Sequence, residues 1–268
     1  PDLDDASDSG VSNSDNLTND TTPSFTITGL TGVGATNDTL ILFVDDVRMD
    51  SARVTGNSVT LTVPDANALT HAATAYSVKV KSRDLTGNIS DFSGGLDLII
   101  DTQAPVAGDA LDLLVDDDSG FSDSDNITNV TTPQLKVAGL IPVADPATAV
   151  YDSIRIYQDV TGLSVTDQFL EGFILDGTGV SKTHQLTAAL SEDVYNFSYK
   201  VVDAAGNISA MSDGLEVTID LTAPSATAAP DLLDAFDSGT SNSDDLTNLT
   251  TVDIRVTGLT IGDKVYLV

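Results

Sequence analysis

The sequence predicts an all-β protein made of antiparallel β-sandwich domains in tandem. One observation is an internal repeat: an acidic stretch that begins Asp-Ser-Gly occurs at Asp8, Asp118 and Asp237, and each copy leads into alternating apolar residues. A second observation is that short segments rich in β-branched and aromatic residues alternate with turn residues, without the period of an amphipathic helix. Repetition of a whole domain accounts for both observations.

The spacing of the acidic stretch predicts the domain boundaries. The copies are 110 and 119 residues apart, which is an ordinary domain length. We expect complete sandwiches over residues 1–103 (the first unit) and 104–223 (the second unit), and an incomplete one over 224–268 (the third segment). The second unit carries nine extra residues between its opening motif and its closing half, and we expect 141–149 and the region around Gly162 to hold them. The third segment either was cut from a longer array or is completed by another chain.

Period-2 alternation places the strands of the first unit. It is clearest in Tyr76-Ser77-Val78-Lys79-Val80, and Asp45-Asp46 and Gly56-Asn57 supply turn residues between strands. A short helical turn is expected only within 64–74. The predicted strands are 23–29, 39–45, 58–63, 75–83 and 96–100.

The second unit repeats this order. Its closing half matches that of the first, since Asp84 to Ser90 corresponds to Asp203 to Ser209, and Ile100-Asp101 corresponds to Ile219-Asp220. The predicted strands are 133–139, 150–158, about 168–175, 180–186, 195–203 and 215–219. The side chains predicted to face the cores are Phe25, Ile27, Leu42, Val44, Tyr76, Val78 and Val80 in the first unit, and Leu135, Val137, Ile154, Ile156, Phe197 and Val201 in the second.

Charge and composition exclude several classes of partner. The net charge is −30, and only three of the 41 acidic residues are glutamate. So negative a surface disfavours nucleic acid and anionic membranes, whose phosphates require lysine and arginine, and favours cations. The chain has no cysteine, so it forms no disulfide. Its longest clean apolar run, Leu40 to Val44, is far too short to span a bilayer, and we expect no membrane insertion.

Three motifs together connect the chain with a known family. They are the Asp-Ser-Gly…Thr-Thr-Pro opening, the Asp-x-x-Gly-Asn-x-Ser hairpin and the Ile-Asp-x-x-Ala-Pro linker, which recur at matching places in both units. The sequence resembles the tandem bacterial immunoglobulin-like domains of giant secreted adhesins and biofilm-associated surface proteins. The resemblance implies immunoglobulin-like sandwiches in a linear rod on the bacterial cell surface, with calcium near domain junctions. Two departures are Val252, where the other copies have proline, and the lack of Gly-Gly-x-Gly-x-Asp repeats.

The acidic stretches suit calcium, which takes roughly six to eight oxygen ligands from carboxylates, amides, carbonyls and water. In an immunoglobulin-like sandwich, the connection before the second strand lies where the last strand leaves, and the last hairpin faces the preceding domain. We therefore expect a calcium site at the first junction, formed by Asp8, Asp15, Asp101, Asp203 and Asn207. The full set of candidate ligands is Asp8, Asp15, Asp84, Asn88, Asp101, Asp118, Asp125, Asp203, Asn207, Asp220, Asp237 and Asp244. The alternative is that these stretches are solvated acidic turns.

Two kinds of function remain open. The leading hypothesis is a structural extender that holds a distal adhesive module away from the cell, with neighbouring domains of the same chain and other copies in a fibre as its partners. The alternatives are a strand-exchanged extracellular filament and a glycan- or protein-binding module, for which the candidate region lies near Tyr151, Tyr157, Phe169 and Phe173. We expect no enzymatic activity, because no nucleophile elbow, phosphate loop or zinc-helix motif occurs.

Overall fold

The computed structural model describes residues 1–10, 12–30, 37–140, 151–160, 168–175, 181–225, 227–260 and 265–266. These residues form an all-β protein of antiparallel sheets with two short parallel pairs, which confirms the predicted fold class. Their one helix is the 3₁₀ turn Asp65–Asn67, within the segment expected to hold a helical turn. Within the described ranges, no helix has the length and apolar character needed to cross a membrane.

The first unit consists of two sheets. Its strands are β1 (Asp2–Leu3), β2 (Leu17–Thr18), β3 (Ser24–Ile27), β4 (Thr39–Val44), β5 (Val47–Arg53), β6 (Val59–Thr62), β7 (Tyr76–Arg83) and β8 (Leu96–Ile100). One sheet has the order β1-β3-β6 and the other has the order β2-β8-β7-β4-β5. The five predicted strands are present, with ends within two residues of the prediction. The prediction missed β5 and the two-residue strands β1 and β2.

One buried cluster draws on both sheets of this unit. Leu42 of β4 lies opposite Val80 of β7, so their side chains share a face, and they pack with Phe25 of the other sheet. An equivalent cluster fills the second unit. Of the core residues predicted in the two units, only Tyr76 is not fully buried; it is half-buried and packs against the edge of the core.

The acidic stretch of the first unit is the crossing between its two sheets. The chain leaves β1 in the three-stranded sheet, passes through residues 4–16, and enters β2, where Leu17 pairs in parallel with Ile99 of β8. Strand β8 then runs into the linker, and the amide of Asp101 donates to the carbonyl of Thr18 at 2.9 Å. The acidic stretch and the start of the linker therefore lie at the same end of the sandwich.

The second unit has the same topology. Its strands are β9 (Asp112–Leu113), β10 (Ile127–Thr128), β11 (Gln134–Val137), β12 (Tyr151–Val160), β13 (Gln168–Ile174), β14 (Lys182–Gln185), β15 (Asp193–Asp203) and β16 (Leu215–Ile219). The sheets have the orders β9-β11-β14 and β10-β16-β15-β12-β13. All six predicted strands are present. The expected insertion hosts, 141–149 and the region around Gly162, lie outside the described residues.

The third segment begins the same fold again. Its described strands are β17 (Asp231–Leu232) and β18 (Ile254–Arg255), which pair antiparallel with Leu232 opposite Ile254. These strands correspond to β1 and β3 of the first unit. Strand β3 also pairs with β6 on its other side, whereas β18 pairs only with β17 among the described residues.

Candidate metal centre at the first domain junction

The acidic stretch folds in the same way in all three copies. In the first, Asp8 Oδ2 accepts a hydrogen bond from the amide of Asn16 at 3.3 Å, and Asp15 Oδ1 accepts one from the amide of Leu17 at 3.1 Å. Asn16 has a φ of +59°, a left-handed conformation that asparagine adopts more readily than most residues. The corresponding pairs are Asp118 with Asn126 (3.2 Å), Asp125 with Ile127 (3.2 Å), Asp237 with Asp245 (3.2 Å) and Asp244 with Leu246 (3.3 Å). The motif therefore encodes the loop locally.

Each copy buries one carboxylate oxygen that has no hydrogen-bond partner. This atom is Oδ1 of Asp8, Asp118 and Asp237, residues that are 5%, 6% and 8% exposed. Burying an acceptor without a donor is costly, and buried polar atoms normally have a partner. Because the same feature recurs three times, it is a property of the motif.

A second carboxylate lies close to the buried one in the first copy. Burial raises the pKa of Asp8 above its ordinary value of 3.8, and the neighbouring Asp15 carboxylate raises it further, against the lowering effect of the Asn16 amide. A neighbouring carboxylate disfavours the charged form of Asp8. Either a proton or a bound cation relieves that repulsion.

The linker contributes another buried carboxylate. Asp101 is fully buried, and its Oδ1 accepts a hydrogen bond from the amide of Gln103 at 2.9 Å and lies 3.1 Å from His71 Nδ1. Its Oδ2 is buried and accepts no hydrogen bond. The carbonyl of Asp101 accepts one from Asn207 Nδ2 of the second unit at 2.9 Å. Groups from both units therefore surround this linker residue.

Asp84 and Asp203 occupy the same turn in the two units but are buried to different extents. In both turns, Oδ1 accepts the amide of the asparagine four residues later at 2.8 Å. Asp84 is only half-buried, and its hydrogen bonds, above all that from the Asn88 side chain, lower its pKa to about 2. Asp203 is 2% exposed, and burial raises its pKa, with a further contribution from the Asp101 carboxylate. The chemical difference arises from the environment, since the turn itself is the same.

Two glycine turns bring the units into contact. Gly10 and Gly206 have φ values of +111° and +89°. A Cβ on Gly10 would lie 2.0 Å from the carbonyl oxygen of Ala204, and one on Gly206 would lie 2.9 Å from the Gly10 amide nitrogen. Beside them, Ser9 Oγ can donate to the carbonyl of Ala205 at 2.6 Å. So close an approach of two backbones requires glycine on both sides.

The predicted ligands separate into several places. Asp101, Asp203 and Asn207 meet at the first junction, and the Asp8–Asp15 pair lies in the loop that contacts the second unit. The other candidates lie apart from it: Asp84 and Asn88 in an exposed turn, Asp118 and Asp125 in the second acidic loop, Asp220 in the exposed second linker, and Asp237 and Asp244 in the third loop. Among the described residues, no three acidic or histidine side chains form a group that could hold a metal ion. A cation at the junction would therefore also need carbonyl, hydroxyl or water oxygens.

Sequence reasoning missed several residues of this junction. Ser9, Gly10 and Gly206 supply the contacts between the units, and His71 lies beside the linker carboxylate. A signal for the first two was present, because Ser-Gly follows the leading aspartate in all three acidic stretches. No comparable signal exists for His71, which comes from a loop far away in the sequence.

A family model described as a bacterial Ig-like domain matches residues 1–102 and again 105–221. Similar solved structures include the FN1–FN3 domains of chicken CNTN1, at 12% identity and a TM-score of 0.41, with coverage of 75% of this chain and 64% of that one. A segment of titin matches at 12% identity and a TM-score of 0.44, with coverage of 75% and 60%. A Ca²⁺-stabilised adhesin with which an Antarctic bacterium binds ice matches at 17% identity and a TM-score of 0.39, with coverage of 79% and 46%. The chain spans less than two thirds of each of these structures. No curated protein matches the sequence.

Proposed function

Because the chain belongs to the family of bacterial immunoglobulin-like domains, we propose that it is an extender segment of a bacterial cell-surface adhesin or fibre, stiffened by calcium at its domain junctions. Tandem sandwiches of this architecture are typically structural or binding modules. Two complete copies here share one topology and one set of loops, and groups on either side of the linker contact each other. In this proposal the segment is extracellular, its partners are the neighbouring domains of the same chain, and it catalyses no reaction.

The observation that carries the calcium part of the proposal is the buried carboxylate oxygen without a partner in each acidic loop. A second aspartate follows seven residues later in every copy. A cation in the loop would therefore have carboxylates on two sides. Calcium takes such oxygen ligands in irregular and flexible geometry, whereas magnesium demands a near-ideal octahedron.

Two pairs of carboxylates would hold calcium near the first junction, Asp8 with Asp15 in the loop and Asp101 with Asp203 across the linker, each together with carbonyl, hydroxyl or water oxygens. Each of these pairs consists of two neighbouring carboxyl groups, and each contains an oxygen that accepts no hydrogen bond. Bound calcium supplies the positive charge that offsets their mutual repulsion. Without it, we expect the two units to separate more easily.

The experiment compares the full chain in excess calcium and in chelator. A ligand that binds only the native state stabilises it by RT ln(1 + [L]/Kd), about 2.7 kcal/mol at a hundred times Kd. We therefore expect calcium to raise the melting temperature and to narrow the distribution of interdomain distances in small-angle scattering. Superimposable melting curves and scattering profiles in the two conditions would show that the acidic loops are solvated turns.

A pair of variants separates calcium binding from folding. Asp8→Asn keeps the shape of the side chain but removes its charge, so it should bind one calcium ion fewer in isothermal titration calorimetry. Asp65→Asn changes an exposed aspartate in the 3₁₀ turn and should bind as the parent chain does. The same stoichiometry in both variants would contradict the assignment of an ion to the first acidic loop.

A further inference from the structure

The five-stranded sheet of the first unit carries all of that unit's lysine and arginine. Residues 1–103 contain five such residues, two on β5 and three on β7. They form a surface that we call the basic face, which consists of Arg48, Arg53, Lys79, Lys81 and Arg83. In a chain of net charge −30, so tight a clustering of cations is not a general feature of the surface.

The register of the sheet places the five cations on its outer side. On β7, Val78 and Val80 are buried in the core, so the three cations that alternate with them point the opposite way. Phe43 of β4 lies between Arg48 of β5 and Lys79 of β7. In the same way, Thr39 of β4 lies between Arg53 of β5 and Arg83 of β7. The basic face therefore extends across β5, β4 and β7.

Four of the five cations have no acidic partner in the part of the chain that the structure describes. Lys79 Nζ lies 3.5 Å from an Asp46 carboxylate oxygen. For each of the other four cations, every carboxylate oxygen of the described residues is more than 4.0 Å away, which is too far for an ion pair. The parts of the first unit outside the described residues, Val11 and 31–36, contain no charged residue. A chain with 41 acidic residues thus leaves a group of cations open to an external anion.

An aromatic pair lies among these cations. The rings of Phe43 and Phe92 pack edge to face with centroids 5.2 Å apart, and Phe92 is 39% exposed. Lys81 Nζ lies 4.1 Å from the Phe92 ring centroid and Lys79 Nζ lies 5.3 Å from it. These cation–π contacts position the two ammonium groups beside an exposed apolar strip.

The second unit shows that the sandwich does not need these cations. Its residues at the equivalent register positions are Phe169, Ile174, Ser198, Lys200 and Val202. Only Lys200 of these is cationic, and one further cation on that face, Arg155, takes the position of Ile41. Since the same fold forms without the basic face, the cations serve something other than stability of the sandwich.

The spacing of the cations suits an extended polymer. Neighbouring strands are about 4.8 Å apart, so the rows on β5 and β7 are about 10 Å apart with β4 between them, and alternate residues along a row are about 7 Å apart. We propose that the basic face binds a linear anionic glycan. Its carboxylate or sulfate groups pair with the two rows of cations, and its sugar rings lie over the strip that contains Phe43 and Phe92. This interaction goes beyond the extender role and requires no calcium.

Charge density favours a glycan over nucleic acid or a second copy of the chain. Duplex DNA carries one negative charge per about 1.7 Å of axis, much denser than the cations of this face, whereas a glycan carries its charges at intervals of whole sugars. A second copy of the chain also carries a net charge of −30, so the two chains would repel each other overall. A single glycan chain on one face leaves much of the remaining acidic surface beyond the Debye length of about 8 Å at physiological salt.

The test uses the full chain in chelator, which keeps it independent of any junction calcium. The probes are heparin as a sulfated glycan, polygalacturonate as a carboxylated glycan, and dextran as a neutral control, each in surface plasmon resonance. We expect binding of an anionic glycan that weakens as salt rises, and no binding of dextran. The anionic probe that binds more tightly shows whether the basic face prefers sulfate or carboxylate groups. Binding of dextran, or of neither anionic glycan, would overturn the proposal.

Two matched variants locate the surface. Lys81→Gln/Arg83→Gln removes two adjacent cations of the basic face, and we expect it to weaken glycan binding by about tenfold. The control, Lys136→Gln/Lys182→Gln, makes a similar charge change on the three-stranded sheet of the second unit and should bind within about twofold of the parent. Equal weakening in both variants would overturn the proposal, as would duplex DNA binding as tightly as the glycans. Sedimentation that shows self-association through this face, without glycan binding, would overturn it in favour of a second copy.

Discussion

Replacing Gly206 with alanine should separate the two complete units without unfolding either of them. Gly206 has a φ of +89°, and a Cβ there would lie 2.9 Å from the Gly10 amide nitrogen and 3.2 Å from its Cα. The obstacle is backbone, so the first unit has to move away. Gly87 is the matched control, because it occupies the same turn of the first unit with a φ of +97° and has open space where its Cβ would lie.

The difference between the two variants isolates the junction. Both pay for a left-handed alanine, about 1–2 kcal/mol of the stability of their own domain. Gly206→Ala should in addition lose the hydrogen bonds from Ser9 to Ala205 and from Asn207 to Asp101. Each is worth about 0.5–1.5 kcal/mol, so the contact between the units should weaken by about 1–3 kcal/mol.

Chemical denaturation and distance measurement check the two parts separately. Denaturation should show a similar loss of domain stability in the two variants. Paired spin labels, one in each unit, should show a broader distance distribution for Gly206→Ala and an unchanged one for Gly87→Ala. Identical distributions in the two variants would refute the idea that the glycine turns hold the units together.

Val78→Ala should lower the free energy of unfolding of the first unit by about 1–3 kcal/mol, because it loses buried area and leaves a cavity. Val47→Ala is the control, and because Val47 is 54% exposed it should change that free energy by less than about 0.5 kcal/mol. Chemical denaturation measures both variants. In chelator, the raised pKa of Asp203 means that the folded state holds this proton more tightly than the unfolded chain. Its stabilising contribution is therefore present below the ordinary pKa of 3.8 and lost as pH rises through the folded pKa, and Asp203→Asn should remove that part of the pH profile. The sign is opposite for Asp84, whose contribution is present above 3.8 and lost as pH falls towards its folded pKa of about 2, so acid unfolding of Asp84→Asn should lack this loss. Limited proteolysis should cut within 224–268 first, because β18 has a paired neighbour on only one side among the described residues; protection of this segment that depends on protein concentration would instead favour strand exchange.

The strands that bury a face were predictable and the edge strand of the first unit was not. Strand β7 alternates valines of the core with polar residues, and that pattern is readable from the chain alone. Strand β5 lies at the edge of its sheet, has no fully buried residue and therefore needs no alternation. Its counterpart β13 was predictable because Phe169, Phe173 and Ile174 give it apolar character.

The sequence by itself determined the three acidic loops, because the hydrogen bonds that the two aspartates of each motif accept join residues at most eight positions apart. The pair of Asp8 with Asn16 recurs in both other copies, including the third segment, in which a complete sandwich is not described. Only the tertiary structure decided which copies become a candidate metal centre. Asp101 is buried and its equivalent Asp220 is exposed, while Asp203 is buried and its equivalent Asp84 is only half-buried. The motifs are the same in each pair, but a neighbouring domain removes water from one carboxylate and leaves the other more accessible to solvent. In the pair formed by Asp203 and Asp84, burial raises the pKa of Asp203, whereas hydrogen bonds lower that of Asp84.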